Sequence, residues 1–82
     1  MEKISIIIAD DHKLIRDTWS YILNNDERFE VLAECSNGEE AVEMAKQFRP
    51  RILLMDINMS PINGIEATQL VRKFAPATRV IG

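Results

Sequence analysis

The sequence predicts an α/β fold in which helices cover a parallel β-sheet. Two short apolar runs, residues 4–9 and 52–55, end in acids, at Asp10-Asp11 and at Asp56. Apolar runs of this length with polar residues at their ends are typical of strands buried on both faces, as in a parallel sheet. Strand-like and helix-like segments also alternate with short connections, which favours right-handed crossovers and helices on both faces.

The first half of the chain supplies two strands and two helices. Residues 12–24 carry apolar side chains close to helical spacing, and residues 29–35 alternate with period two, as in a half-exposed edge strand. Ser36 stands three residues before Glu39, which is the spacing of a capping box. We therefore expect a second helix that starts there and ends before Pro50.

The second half repeats the pattern. A third strand is expected at 52–56, and the turn-rich residues 58–64 open a third helix that ends at Pro76. Residues 79–81 have the composition of a fourth strand that is just beginning. The apolar faces of the second and third helices are predicted to be buried; they comprise Ala41, Val42, Ala45, Phe48, Ala67, Leu70, Val71 and Phe74.

Composition narrows the class of protein. The 82 residues suit one domain or part of one, and 46% hydrophobic with 28% charged residues indicates a globular chain. We expect no signal peptide or membrane span, and the single Cys35 suggests a reducing cytoplasm and a small buried side chain. A net charge of −3 gives no footprint for nucleic acid. Any contact with DNA would therefore lie outside this segment.

Three carboxylates are expected to converge. Ligands of open parallel sheets bind outside the carboxyl ends of the strands, where Asp10, Asp11 and Asp56 would meet if the first and third strands are neighbours. Such a cluster repels itself unless a hard cation or an acceptor role for one carboxylate justifies it. The competing interpretation is structural, with Asp11 capping the first helix and Asp56 solvated in a loop. His12 could be a ligand or a relay, but a surface or packing role is the expectation.

These motifs resemble the receiver domain of two-component response regulators. Asp10-Asp11 and Asp56 match its acids, and the spacing from Asp56 to Gly64 is that of the family's D-x-x-M-P-x-x-x-G signature. Residues 9–12 (Ala-Asp-Asp-His) followed by Arg16 look most like receivers attached to LuxR/NarL-type helix-turn-helix domains. The resemblance implies a flavodoxin-like (CheY-like) doubly wound sheet of strand order 2-1-3-4-5. Residues 1–82 would then be its N-terminal two thirds, (βα)3 plus the start of strand four.

The resemblance also implies a function. Asp56 would accept a phosphoryl group from a sensor histidine kinase, and Mg²⁺ would be held by Asp10, Asp11, Asp56 and the backbone carbonyl of Asn58. Phosphorylation would control an output domain outside this chain, expected to bind DNA and regulate transcription. The chain would be a signalling switch that assists its own phosphotransfer and not a turnover enzyme.

Two features depart from the family pattern. Ser60 occupies the place of the signature proline, which comes one residue later at Pro61. The family's Ser/Thr after strand four and its lysine after strand five have no counterpart within these 82 residues. Lys13 and Arg16 are not expected to replace the lysine, because first-helix cations of this kind are usually solvated.

Two other functions remain as alternatives. A receiver fragment could act only as an interaction module, because the apolar face beside the first helix would meet water and the last strand would have an open edge. Self-association through that edge or through swapped elements is then expected. An aspartate-nucleophile phosphatase of the haloacid-dehalogenase type is disfavoured. Such enzymes need D-x-D, whereas Asp10 is followed by Asp11 and His12, and Asp56 is followed two places later by Asn58.

Overall fold

A single parallel sheet organises the chain, as the sequence predicts. The computed structural model describes residues 2–56 and 64–82. Four strands lie in the order β2-β1-β3-β4, and every adjacent pair is parallel. Within the described ranges, no helix is long and apolar enough to span a bilayer. The elements in chain order are β1 (Ile4–Ala9), α1 (Lys13–Asn24), β2 (Phe29–Cys35), α2 (Gly38–Phe48), β3 (Ile52–Met55), α3 (Gly64–Phe74) and β4 (Arg79–Ile81).

One face of the sheet carries the hydrophobic core. Strand register places Ile7, Leu53 and Val80 side by side, so their side chains point to the same face. Ile7 and Leu53 are fully buried there. The rest of this core comes from the ends of the strands and from α2, α3 and the residue that follows α3; it comprises Ala9, Cys35, Met55, Ala41, Val42, Ala45, Ala67, Val71 and Ala75.

The opposite face is only half covered. Helix α1 lies over β1 and β2, and the alternate residues Ile6 and Ile8 of β1 are buried. Their neighbours in register on β3 and β4 are more exposed: Leu54 is half-buried and Ile81 is 42% exposed. The expectation that the apolar face beside the first helix would meet water is therefore correct only for the part on β3 and β4, because Ile6 and Ile8 of β1 are buried.

The cap of α2 is one residue later than the sequence spacing suggests. Asn37, not Ser36, is the N-cap, because its extended backbone lets its Oδ1 accept a hydrogen bond from the Glu40 N–H at 2.8 Å. Glu40, not Glu39, returns the contact by accepting from the Ser36 N–H and hydroxyl. These hydrogen bonds lower the pKa of the Glu40 carboxyl.

Two aromatic side chains are less buried than predicted. Phe48 is 44% exposed and Phe74 is 40% exposed. Each is the last residue of its helix, so no further helical turn covers its ring. The Phe74 ring is covered instead by a cation, since the Lys46 Nζ lies 4.5 Å from its centroid. Arg49, whose φ of 45° is left-handed, is the C-cap that follows α2, and Pro50 prevents continuation of the helix.

Replacing the α2 cap should weaken the fold. Asn37→Ala removes the acceptor of the Glu40 N–H, and the loss of such a cap lowers the free energy of unfolding by about 1 kcal/mol. Gln47→Ala is the matched control, because Gln47 is an exposed amide on the same helix. Urea denaturation followed by circular dichroism measures both. Equal midpoints for the two variants would contradict the assignment of the cap.

Candidate functional site

Backbone hydrogen bonds that extend the sheet place the acids. The Asp10 N–H donates to the Cys35 carbonyl at 3.0 Å, which continues the β1–β2 ladder by one residue. The Asp56 N–H donates to the Ala9 carbonyl, also at 3.0 Å, on the other side of β1. Main-chain hydrogen bonds therefore hold both residues at the carboxyl edge of the sheet, independently of their side-chain contacts.

The three predicted acids come together at this edge. Asp10, Asp11, Asp56 and His12 each offer one ligand atom, and these atoms all lie within 4.8 Å of one another. The carboxylates differ in exposure: 17% for Asp10, 20% for Asp56 and 43% for Asp11. Two half-buried acids and one exposed acid thus share a volume that a single ion could span.

His12 contributes to the cluster more directly than its surface position suggests. Its side chain is 63% exposed, yet Nδ1 lies 2.8 Å from Asp10 Oδ1, 3.0 Å from Asp11 Oδ1 and 3.8 Å from Asp56 Oδ2. The hydrogen bond to Asp10, followed by the charge of Asp11, raises the pKa of the imidazole. In the absence of another cation, the ring therefore offsets part of the repulsion among the carboxylates.

The interpretation that Asp11 caps the first helix is wrong. His12, not Asp11, is the N-cap of α1, and it makes no side-chain capping hydrogen bond. The acid that contacts the start of this segment is Asp10, whose Oδ1 accepts from the His12 N–H at 2.8 Å. Helix capping therefore does not account for the side chain of Asp11.

Arg16 is not solvated as the sequence analysis expects. Its side chain is 15% exposed; Nη1 donates to the Asp10 carbonyl at 2.7 Å, and Nε lies 3.5 Å from Glu34 Oε1. Arg16 thus ties α1 to the ends of β1 and β2 and positions Asp10 through the main chain. Arg16 lies one helical turn before the buried Ser20, on the same side of α1. Because both residues are polar, no pattern in the sequence marks this side of the helix as buried. Lys13, in contrast, is exposed and pairs with Asp17 at 2.6 Å.

The donor set suits a hard divalent cation. Carboxylate oxygens are the ligands that Mg²⁺ prefers, and Mg²⁺ needs only one or two from a protein because it keeps several of its waters. The half-buried Asp10 and Asp56 with the exposed Asp11 meet that requirement. The fourth predicted ligand, the carbonyl of Asn58, lies outside the described residues, as do Ser60 and Pro61.

A cavity opens directly beside the acids. Its volume is about 260 Å³, and its mixed lining joins Asp10 and Asp56 to apolar groups from β1, β3 and α1. Trp19, the chain's one tryptophan, is part of that lining. The indole is therefore a reporter group next to the cluster.

Comparison with known proteins assigns the family. The sequence profile of the response regulator receiver domain matches residues 6–82. The match covers the whole sheet except the first residues of β1, and it includes all three acids. The chain belongs to the response regulator receiver domain family.

The relatives differ in what accompanies the receiver. The chain is 43% identical over 79 residues to the transcriptional regulatory protein DegU of Brevibacillus brevis, a match that covers 96% of this chain and 34% of DegU. It is 38% identical over 78 residues to a protein-glutamate methylesterase/protein-glutamine glutaminase of Nitrosospira multiformis, covering 95% of this chain and 22% of that protein. The chain thus spans about a third or less of these curated relatives.

A solved receiver confirms the fold. The signal receiver domain of a NarL response regulator from Mycobacterium tuberculosis superposes with a TM-score of 0.93 at 30% identity, over 98% of this chain and 64% of that one. The parallel strand order β2-β1-β3-β4 of this chain agrees with the CheY-like fold, of which the chain contains the part up to the start of β4.

Magnesium should bind at the cluster and be visible through Trp19. Titration with MgCl₂ is expected to change the fluorescence of this tryptophan, because the indole lines the cavity that Asp10 and Asp56 also line. Asp11→Asn removes one carboxylate and should weaken the apparent affinity about tenfold or more, within the range seen when groups of a metal site are removed.

The control is Asp17→Asn, which makes the same charge change on α1 at a residue paired with Lys13. It should titrate like the unmodified chain. Identical titrations for Asp11→Asn and Asp17→Asn would show that the fluorescence change reports general ionic strength and not the cluster.

Proposed function

We propose that Asp56 is the phosphoacceptor of this receiver and takes a phosphoryl group from a sensor histidine kinase. The observation that carries the proposal is the convergence of three carboxylates within 4.8 Å at the carboxyl edge of the sheet, beside an open cavity. Helix capping by Asp11 does not account for this arrangement, because His12 is the N-cap of α1.

The roles of the acids differ with their contacts. Asp10 already accepts from the His12 main chain and ring through Oδ1, so its geometry is fixed by the start of α1. Asp56 lies at the end of the interior strand β3 and lines the cavity, where a phosphoryl donor has room to approach. The family resemblance supports the same choice of nucleophile.

The chemistry is a displacement at phosphorus. A carboxylate oxygen of Asp56 forms the new P–O bond while the P–N bond to the kinase histidine breaks, and the imidazole leaves with that electron pair. When bound by Asp10, Asp11 and Asp56, Mg²⁺ supplies positive charge that offsets the phosphoryl oxygens and the crowded acids. Arg16 holds Asp10 in place by donating a hydrogen bond to its main-chain carbonyl.

A DNA-binding output domain outside this chain is the proposed target of the switch. DegU and LnrK, both transcriptional regulatory proteins, are 43% and 41% identical to the chain. Methylesterase relatives show that receivers of this kind also accompany an enzyme. The Ala-Asp-Asp-His start with Arg16 favours the LuxR/NarL type, and residues 1–82 would be about two thirds of its receiver in a cytoplasmic protein. The chain itself is not proposed to turn over a substrate.

A pure interaction module is the second candidate, favoured by the exposed apolar groups on α1. The two candidates differ in their response to a phosphoryl analogue. A phosphoacceptor binds beryllofluoride in the presence of Mg²⁺, whereas an inert module does not.

Asp56→Asn should abolish phosphorylation. A complete receiver that contains this sequence is incubated with acetyl phosphate and Mg²⁺, and its intact mass is expected to rise by one phosphoryl group. Asp56→Asn should show no such species, because an amide is not a nucleophile for this transfer. Asp11→Asn should slow the labelling through weaker metal binding, and Asp17→Asn should leave it unchanged.

Beryllofluoride titration followed by Trp19 fluorescence provides a second measurement that does not depend on the lifetime of an acyl phosphate. Labelling of Asp56→Asn to the same extent as the unmodified chain would refute the assignment of the acceptor. Failure of both labelling and beryllofluoride binding would favour the interaction module.

A further inference from the structure

The imidazole of His12 lies at metal-ligand spacing from the acid cluster. Its Nδ1 is 2.8 Å from Asp10 Oδ1, 3.0 Å from Asp11 Oδ1 and 3.8 Å from Asp56 Oδ2. Around a six-coordinate ion with bonds of about 2.1 Å, neighbouring ligand atoms are about 3 Å apart and opposite ones about 4.2 Å apart. The nitrogen therefore has this spacing from all three carboxylates, and not only from the one that shares its hydrogen bond.

Small rotations of exposed side chains would bring the four donor atoms around one ion. The carboxylate oxygens and Nδ1 all lie within 4.8 Å of one another, slightly more than opposite ligands of such an ion require. Asp11 and His12 are the exposed members of the cluster, so their side chains have room to close this difference. Asp10 and Asp56, whose side chains are largely buried, can keep their positions.

The start of α1 directs the ring towards the cluster. His12 is the N-cap, its backbone is extended with φ −91° and ψ 102°, and its side chain makes no capping hydrogen bond. Its N–H donates to Asp10 Oδ1 at 2.8 Å, which fixes the main chain beside the end of β1. The ring thus leaves the chain at the carboxyl edge of the sheet, and the helix does not need it as a cap.

A nitrogen donor changes which cation a site prefers. Carboxylates and water suit Mg²⁺, whereas imidazole suits first-row transition cations such as Fe²⁺, Ni²⁺ and Zn²⁺. His12 is the only histidine in the sequence. Within these 82 residues, it is therefore the one imidazole that can give the acid cluster an affinity for transition cations.

We propose that His12 is a fourth ligand of this cluster for divalent transition cations and increases the preference of the site for them over Mg²⁺. The ring binds through Nδ1 with a proton on Nε2, and a proton held by Nδ1 is released to water as the metal bond replaces the hydrogen bond to Asp10. Mg²⁺ is held by oxygen ligands and does not use the ring. The inference rests on the metal site of the proposed function, but not on phosphorylation of Asp56.

The competing interpretation is that the ring only offsets charge and is displaced by any cation. The two interpretations differ in what removal of the ring does. A displaced ring competes with every cation, so its removal would strengthen the binding of all of them alike. Removal of a nitrogen ligand instead weakens the binding of those cations that prefer nitrogen.

Parallel titrations with CoCl₂ and MgCl₂, followed by calorimetry, measure the preference in a complete receiver that contains this sequence and carries no histidine tag. Co²⁺ is close to Mg²⁺ in size and lies between Fe²⁺ and Ni²⁺ in the affinity series, so the two ions differ mainly in their affinity for nitrogen. His12→Ala should weaken Co²⁺ binding about tenfold or more and leave Mg²⁺ binding unchanged or stronger. His12→Phe, which keeps an aromatic ring without a nitrogen, should behave like His12→Ala.

Two further variants are controls. Lys13→Ala changes the next residue, which is exposed and paired with Asp17, and should leave both affinities unchanged. Asp11→Asn should weaken the binding of both cations, because it removes a carboxylate that both would use. Thermal melts establish that every variant folds.

Proton NMR of the Co²⁺-loaded receiver tests the ligand directly. The ring protons of an imidazole bound to high-spin Co²⁺ shift far outside the diamagnetic range, and such resonances should be present in Lys13→Ala and lost in His12→Ala. An unchanged ratio of Co²⁺ to Mg²⁺ affinity in His12→Ala, a ratio retained by His12→Phe, or no shifted resonance that depends on His12 would each overturn the proposal.

The same measurements separate this inference from the proposed function. A receiver that binds neither cation would overturn both the metal site and the role of His12. A receiver that keeps the preference for Co²⁺ but is not phosphorylated on Asp56 would support the role of His12 and contradict only the assignment of the phosphoacceptor.

Discussion

The parallel pairing of β1 on both of its edges is the constraint on which the rest of this molecule depends. Because β2 and β3 run in the same direction as β1, the ladder ends with Asp10 bonded to Cys35 and Asp56 bonded to Ala9. The site is therefore fixed by main-chain hydrogen bonds before any side chain is considered. A slip of one residue in the β1–β3 register would turn the Asp56 carboxylate to the opposite face of the sheet and disperse the cluster.

Arg16 and His12, the two basic residues near the acids, have different roles: one supports the backbone and the other offsets charge. Arg16 is largely buried and bound to a main-chain carbonyl, so it contributes to the frame that holds Asp10. His12 is exposed and bound to carboxylates, so it contributes charge that a metal ion could supply instead. Replacing Arg16 by a neutral residue would remove the contact that supports the end of β1. Replacing His12 by a neutral residue would increase the repulsion among the carboxylates but would leave their main-chain positions unchanged.

The fold and the acid cluster could be predicted from the sequence because both follow from short-range patterns. Apolar runs reveal the strands, and parallel strands share a carboxyl edge, so Asp10, Asp11 and Asp56 had to converge once β1 and β3 were neighbours. Other features depend on tertiary geometry that no local pattern carries. Arg16 is a residue type usually found at the surface, but it faces the sheet. The N-cap of α2 is Asn37 because its backbone is extended. Phe48 and Phe74 have the spacing of buried helix residues, but they are exposed because they lie at helix ends.

The thiol of Cys35 allows the opening of the strand ends beside the acid cluster to be measured in the unmodified chain. Burial, followed by the charge of Glu40, raises the pKa of this thiol to about 12, so almost none of it is thiolate at neutral pH. The same residue supplies the carbonyl that holds Asp10. An alkylating reagent can therefore react appreciably only when the end of the β1–β2 ladder opens. The rate of alkylation then measures how often this end of the ladder opens, and any ligand that ties the two strands together slows it.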